Sequence, residues 1–160
     1  NTVKAVLIDS NGQPCSASKV AEVQNLVDPA TKGYTAIVDD RTYVVGDGLG
    51  EGLANLGAHF TAAAANSLPV SVCFRAELAD GATREGAAQE AQNAVAAYLR
   101  NLVLNADNPS DIVIRVSAVG AILSGLPSLV DYSNLRLNGA NCNIVPGEDD
   151  VPIILEVLLE

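Results

Sequence analysis

The spacing of apolar residues divides the chain into elements before any other property is considered. Val3–Ile8 is an apolar run of high β propensity and predicts a strand. Asp9-Ser10-Asn11-Gly12 has the composition of a turn. Ser16 or Ser18 can cap a helix that carries Val20, Val23 and Val27 at helical spacing, and Asp28-Pro29 ends it. Tyr34–Val38 and Thr42–Val45 read as short strands around a turn at Asp39-Asp40. Gly46-Asp47-Gly48-Leu49-Gly50-Glu51-Gly52, with glycine at every second position, predicts a loop, because so much glycine destabilises either regular element. His59–Ala65 reads as a strand.

A clearer unit begins at Pro69. Val70, Val72, Phe74, Ala76 and Leu78 alternate with small or polar residues and predict a half-buried strand. After a turn at Asp80-Gly81, Thr83 caps a helix with Ala87, Ala91, Ala94, Val95, Tyr98, Leu99 and Leu102 on one face. A loop with Pro109 leads to a short buried strand at Ile112–Ile114. Val116, Val119, Ile122 and Leu123 then predict a second helix that stops near Gly125. Leu129–Leu137 is a strand whose alternation slips at Ser133-Asn134. Asn138-Gly139 is the strongest hairpin signal in the chain, because both residues tolerate positive φ. Cys142 and Ile144 mark the expected return strand, and Val151–Leu159 the last one.

The predicted order from residue 70 is β-α-β-α-β-β-β, which suits helices packed on one face of a mainly antiparallel sheet. The expected fold class is α+β with two small subdomains. Residues 1–66 form a small α/β subdomain with an irregular Gly-rich insertion, and residues 67–160 form the C-terminal subdomain.

Composition narrows the function. Hydrophobic residues make up 49% of the 160, which marks a globular chain, and Trp and Met are absent, so the core is aliphatic. The chain begins at Asn1 and contains no Met, so it is expected to be a processed or excised piece. Asn1-Thr2-Val3-Lys4 has no signal-peptide pattern, and no apolar stretch approaches the roughly 20 residues that span a bilayer, so a soluble protein is expected. The net charge of −10 argues against nucleic-acid and anionic-membrane partners. Cys15, Cys73 and Cys142 stand far apart without metal or disulfide spacing. Cys73 and Cys142 read as small core residues in a reducing compartment.

Each candidate site has a structural reading beside its chemical one. The loop 46–52 lacks the third glycine of G-x-G-x-x-G and the Lys-Ser/Thr of a P-loop, so a flexible or tightly turned linker is expected. His59, the single histidine, has no G-x-S-x-G elbow to serve and reads as a partly exposed strand residue. Glu148-Asp149-Asp150 lacks the ligand spacing of a calcium loop and reads as a solvated turn. Asp9-Ser10-Asn11-Gly12 reads as a β-turn. Cys15 lies near a helix start, where a thiol can be activated, but no basic partner stands beside it in sequence. No catalytic, cofactor-binding or metal residue is therefore assigned, and no cofactor or enzymatic activity is expected.

Several segments taken together resemble the baseplate J-like family of phage tails and related contractile injection systems. They are Val6-Leu7-Ile8-Asp9-Ser10-Asn11-Gly12-Gln13-Pro14, Gly50-Glu51-Gly52-Leu53-Ala54-Asn55-Leu56-Gly57-Ala58, Pro69-Val70-Ser71-Val72 and Asp80-Gly81-Ala82-Thr83. The most specific is Val130-Asp131-Tyr132-Ser133-Asn134-Leu135-Arg136-Leu137-Asn138-Gly139, followed by Asn143-Ile144 and Asp150-Val151-Pro152-Ile153. Asn55 stands where the family usually has Pro, and residues 30–45 have no placed counterpart and read as an insertion. The resemblance covers the family's middle and C-terminal portion. It implies a baseplate wedge component, assembled in the bacterial host cytoplasm and carried in the virion tail. Its implied partners are other wedge and hub proteins, with self-association in the full assembly, and its implied mechanism is a mechanical switch between interfaces. The competing readings are a tail-associated ligand- or receptor-binding module and an enzyme with an unrecognised acidic site.

Overall fold

The computed structural model describes residues 1–160, and the fold is mixed α+β. Two compact units follow one another, Asn1–Asn66 and Ser67–Glu160.

The first unit is built on a parallel strand pair. β1 (Thr2–Leu7) lies beside β4 (His59–Ala64) in a register that runs from Thr2 opposite His59 to Leu7 opposite Ala64. A parallel pair needs a crossover, and α1 (Ala17–Val27) supplies it. The Ser16 hydroxyl accepts the Lys19 N–H at 3.3 Å and caps the helix. Between α1 and β4 the chain inserts a hairpin, β2 (Thr35–Val38) and β3 (Arg41–Val44), joined by a two-residue turn. Asp39 and Asp40 adopt φ of 50° and 59°, the conformation a tight hairpin demands of both turn residues.

The second unit holds a three-stranded sheet in the order β6-β5-β7, with β5 (Asn66–Leu78) in the middle, β6 (Leu129–Leu137) antiparallel to it and β7 (Asp150–Leu159) on the other side. α2 (Arg84–Leu104) packs against β7, and α3 (Val116–Ser124) against β6. Alternation on β5 buries Val70, Val72 and Phe74, and the i, i+4 spacing on α2 buries Ala87, Ala91, Val95, Leu99 and Val103. α3 adds Val119 and Leu123, and β6 adds Leu135 and Leu137. Each such large side chain, moved from water to the core, contributes about 1.5–3 kcal/mol. The slip in the β6 alternation is a bulge. From Cys73 to Arg75, β5 advances two residues, whereas β6 runs from Arg136 to Ser133, and Asn134 takes φ 55°.

Three local expectations are corrected. Residues 112–114 do not form a strand: Ile114 makes only one antiparallel bridge, to Ile144. Asn138-Gly139 does turn the chain, with φ of 48° and 81°, but no return strand follows it, so the C-terminal order is β-α-α-β-β. The reason lies in competing hydrogen bonds. The Asn138 N–H donates to the Ser71 carbonyl (2.9 Å), its Oδ1 accepts the Ser71 N–H (2.7 Å), and its Nδ2 donates to the Pro69 carbonyl (3.1 Å), which ties the turn to β5. The chain beyond it is drawn toward α3. Ile144 exchanges two backbone hydrogen bonds with buried Ile114 (2.9 and 3.0 Å), and the Asn143 Oδ1 accepts the Val116 N–H at 3.0 Å, capping a helix whose own N-cap, Arg115, offers no side-chain cap. The third correction concerns the cysteines. Cys142 is exposed and Cys73 half-buried, so neither is a core residue.

The cysteines therefore differ in reactivity. Burial pushes the Cys73 thiol above its ordinary pKa, and the Glu160 carboxylate, which accepts from its Sγ at 3.3 Å, pushes it the same way, while Arg136 opposes both. With a maleimide at pH 8, Cys142 is expected to be labelled first and Cys73 last. Peptide mapping of a time course checks the order, and Cys73 labelling ahead of Cys142 contradicts it.

Candidate functional site

The densest polar construction in the chain is a lock in the first unit, and it is built where the Gly-rich loop meets the end of α1. Asp28 follows the last turn of α1 and is only 1% exposed. A carboxylate that far from water needs hydrogen-bond donors. The Gly48 N–H donates to its Oδ1 and the Phe60 N–H to its Oδ2, each at 3.0 Å. One turn earlier on the helix, Gln24 is also buried. Its Nε2 donates to the carbonyls of Asp28 (2.7 Å) and Phe60 (3.0 Å), and its Oε1 accepts the Ala62 N–H at 2.8 Å. Gln24 from the helix and Asp28 just beyond it, with the Gly46 N–H that donates to the Phe60 carbonyl at 2.8 Å, thus take the place of a neighbouring strand for β4.

The glycines make this close approach possible. A Cβ on Gly46 would overlap the Asp28 carboxylate, and one on Gly52 would overlap the Val27 carbonyl. The loop is held to the helix end by the Leu53 N–H to the Leu26 carbonyl (3.1 Å) and the Ala54 N–H to the Val27 carbonyl (2.8 Å). Of the two expectations for this segment, the tightly turned one holds.

Asp47 completes the lock. It is 5% exposed; its carboxylate accepts the Thr31 hydroxyl and, at 2.9 and 3.1 Å, the Lys32 N–H. Burial by itself pushes the carboxyl up, but these hydrogen bonds, together with the Lys32 charge, leave it below the usual carboxylate value. A depressed folded-state value stabilises the fold above the unfolded-state pKa, and that contribution is lost as pH falls through the folded value. Asp47→Asn is therefore expected to lower the urea midpoint at pH 7, with the gap to the parent closing once pH drops well below about 4. Paired urea titrations at pH 7 and pH 3 check this, and an equal gap at both contradicts it.

His59 opens β4, half-buried; its Nδ1 lies 2.8 Å from the Gly46 carbonyl, and its ring lies against Gly48. Histidine and glycine loop are thus brought together, but with backbone as the partner. The Asp9 Oδ1 accepts the N–H groups of Asn11 (2.8 Å) and Gln13 (2.9 Å), so its carboxylate closes its own turn. In the acid cluster, the Asp150 Oδ2 accepts the Gly147 N–H at 3.1 Å in the turn before β7. Cys15 is half-buried beside the α1 cap. No three His, Cys, Asp or Glu side chains converge as a metal site would require. A cleft of about 500 Å³ between α1, β3 and β4 is walled mainly by Ala and Val, with Arg41 among its lining.

Sequence reading missed Gln24, Asp28 and Asp47. Gln24 and Asp28, four residues apart at a helix end ahead of glycines at alternate positions, are all that the sequence shows of it, because the donors to Asp28 lie 20 and 32 residues away.

Apolar side chains also remain in water. Ile37 (74% exposed), Val38 and Val44 stand out from the hairpin, Leu53 and Leu56 from the glycine loop, and Val130, Leu155 and Leu158 from β6 and β7. No helix is long and apolar enough to cross a membrane.

An α+β chain whose buried polar side chains fasten its own backbone, and which leaves apolar side chains in water on strands and loops, has the features of a structural building block. The chain belongs to the baseplate J-like family: the family model described as "Baseplate J-like protein C-terminal domain" matches residues 70–160. Two relatives from Bacillus subtilis (strain 168), "Phage-like element PBSX protein XkdT" and "Uncharacterized protein YqbT", are each 26% identical over 156 residues, covering 98% of this chain and 39% of their own length. The chain thus spans well under half of these relatives.

Proposed function

We propose that the chain is a structural part of a contractile-tail baseplate wedge that acts through protein–protein interfaces and not through a reaction centre. The observation that carries this reading is the family membership of the second unit joined to the state of its outer strand. β7 flanks β5 at one side of the sheet, and Leu155 and Leu158 on it are exposed. Apolar side chains left in water on an outer strand are what an assembly partner buries. The acidic charge fits a partner with a basic surface. On this reading the chain resides in the tail baseplate of a virion or prophage particle, among other wedge and hub proteins and further copies of itself.

The test is assembly. Leu155→Lys combined with Leu158→Lys leaves the buried core untouched, so the isolated chain keeps its circular dichroism spectrum and melts within a few degrees of the parent. In the producing phage or prophage the same pair is expected to yield tails without complete baseplates by negative-stain microscopy. Normal tails carrying the doubly substituted chain would refute the interface role.

A further inference from the structure

We propose that the β2 edge of the hairpin accepts an extended strand from another tail protein, one with uncharged β-branched or apolar residues along its length and a Lys or Arg where it passes Asp39 and Asp40. This rests on the chain being a component of the tail. Val38 and Arg41 flank the two-residue turn, and in such a hairpin the flanking pair exchanges hydrogen bonds, as does every second pair beyond it. Ala36 with Tyr43 is the next bonded pair. The Val45 N–H donating to the Tyr34 carbonyl at 2.9 Å continues the alternation. Thr35 and Ile37 therefore turn their N–H and C=O groups away from β3. No backbone hydrogen bond beyond the hairpin ladder involves either residue, β2 pairs with β3 alone, and all four β2 residues are exposed.

Beyond keeping edge strands short, as four-residue β2 is, natural sheets protect such an edge with charge, proline or a bulge. Thr35-Ala36-Ile37-Val38 has none of these. The open edge is matched by an open face. Cross-strand partners share a side of the hairpin, so Thr35, Ile37, Thr42 and Val44 lie together. All four are β-branched, uncharged and exposed. In a chain of net charge −10, a four-residue uncharged face on an unprotected edge is a place to add a strand. The ends of β2 define the charge of its occupant. Asp39 and Asp40 are exposed at the tip, and neither side chain makes a hydrogen bond or ion pair there, so the added strand carries its basic residue at that end.

Hydrogen exchange resolved to single amides, on the chain free and within purified tails, tests this. The Thr35 and Ile37 amides are expected to exchange roughly tenfold or more slowly in the tail than in the free chain. Ile37→Pro removes one outward donor without touching a ladder bond and should abolish the protection at Thr35. Asp39→Asn with Asp40→Asn removes both charges and keeps residues that tolerate the positive φ of the turn, and should weaken it. A photo-crosslinker at Ile37 should join the chain to a different tail protein. Equal exchange of both amides in free chain and tail, or a crosslink only between two copies of this chain, overturns the inference while leaving the baseplate role standing. Absence of the chain from purified tails overturns both.

Discussion

Replacing Asp28 with alanine is expected to cost about 3 kcal/mol of stability, because the change strands two donors in a dry site. The carboxylate accepts the Gly48 and Phe60 N–H groups at 3.0 Å each and is 1% exposed, so water cannot take its place without opening the loop. A buried N–H left without a partner costs about 1–3 kcal/mol, and the cavity left by the carboxylate adds to it. Asp28→Asn keeps one acceptor but points its amide N–H₂ at the other donor, so a smaller loss is expected. Urea unfolding followed by circular dichroism measures both, and hydrogen exchange at Gly48 and Phe60 localises the damage to the lock. A loss below about 0.5 kcal/mol for Asp28→Ala, the range of an ordinary surface change, would mean that the lock does not fasten the loop.

The second large effect belongs to the other unit. Phe74 is fully buried on the central strand and meets Tyr132 edge-to-face, with ring centroids 6.4 Å apart and planes at 85°. Phe74→Ala removes the largest side chain of that core and leaves Tyr132 without its ring partner. The expected cost is about 3–5 kcal/mol, with Phe74→Leu well below it because most of the volume is kept. Equal losses for the two variants would show that the site collapses freely and that shape matters little there.

The fate of these two sites shows what could be read in the chain beforehand. Phe74 was legible because strand alternation is local: Val70, Val72 and Phe74 announce their shared face within five residues. The same holds for the Thr83 cap, the apolar stripe of α2 and the slip at Ser133-Asn134, each set by neighbours in sequence. Asp28 read only as the end of a helix, because its partners at Gly48 and Phe60 lie 20 and 32 residues away. The missing return strand after Asn138-Gly139 failed for the same reason. The turn itself is a two-residue property, but where the chain goes next is decided by Ser71, Ile114 and Val116, which no local pattern announces. Cys142 followed that strand out of the core and into water. The polar lock that occupies the most motif-like stretch, 46–52, could be seen only once backbone and side chain were placed together.

The lock and the core hold backbone in place, and what they hold up is apolar strand surface that the chain does not cover itself. In the proposed wedge, that surface is where the work is done, and an acidic exterior keeps the free chain dispersed until a partner arrives.

Cryo-electron microscopy of the intact tail, at a resolution that traces side chains, tests this most directly. Density for this chain is expected in the baseplate, with Leu155, Leu158 and Ile37 covered by neighbouring proteins. A tail whose baseplate lacks the chain, or shows all three residues facing solvent, would contradict it.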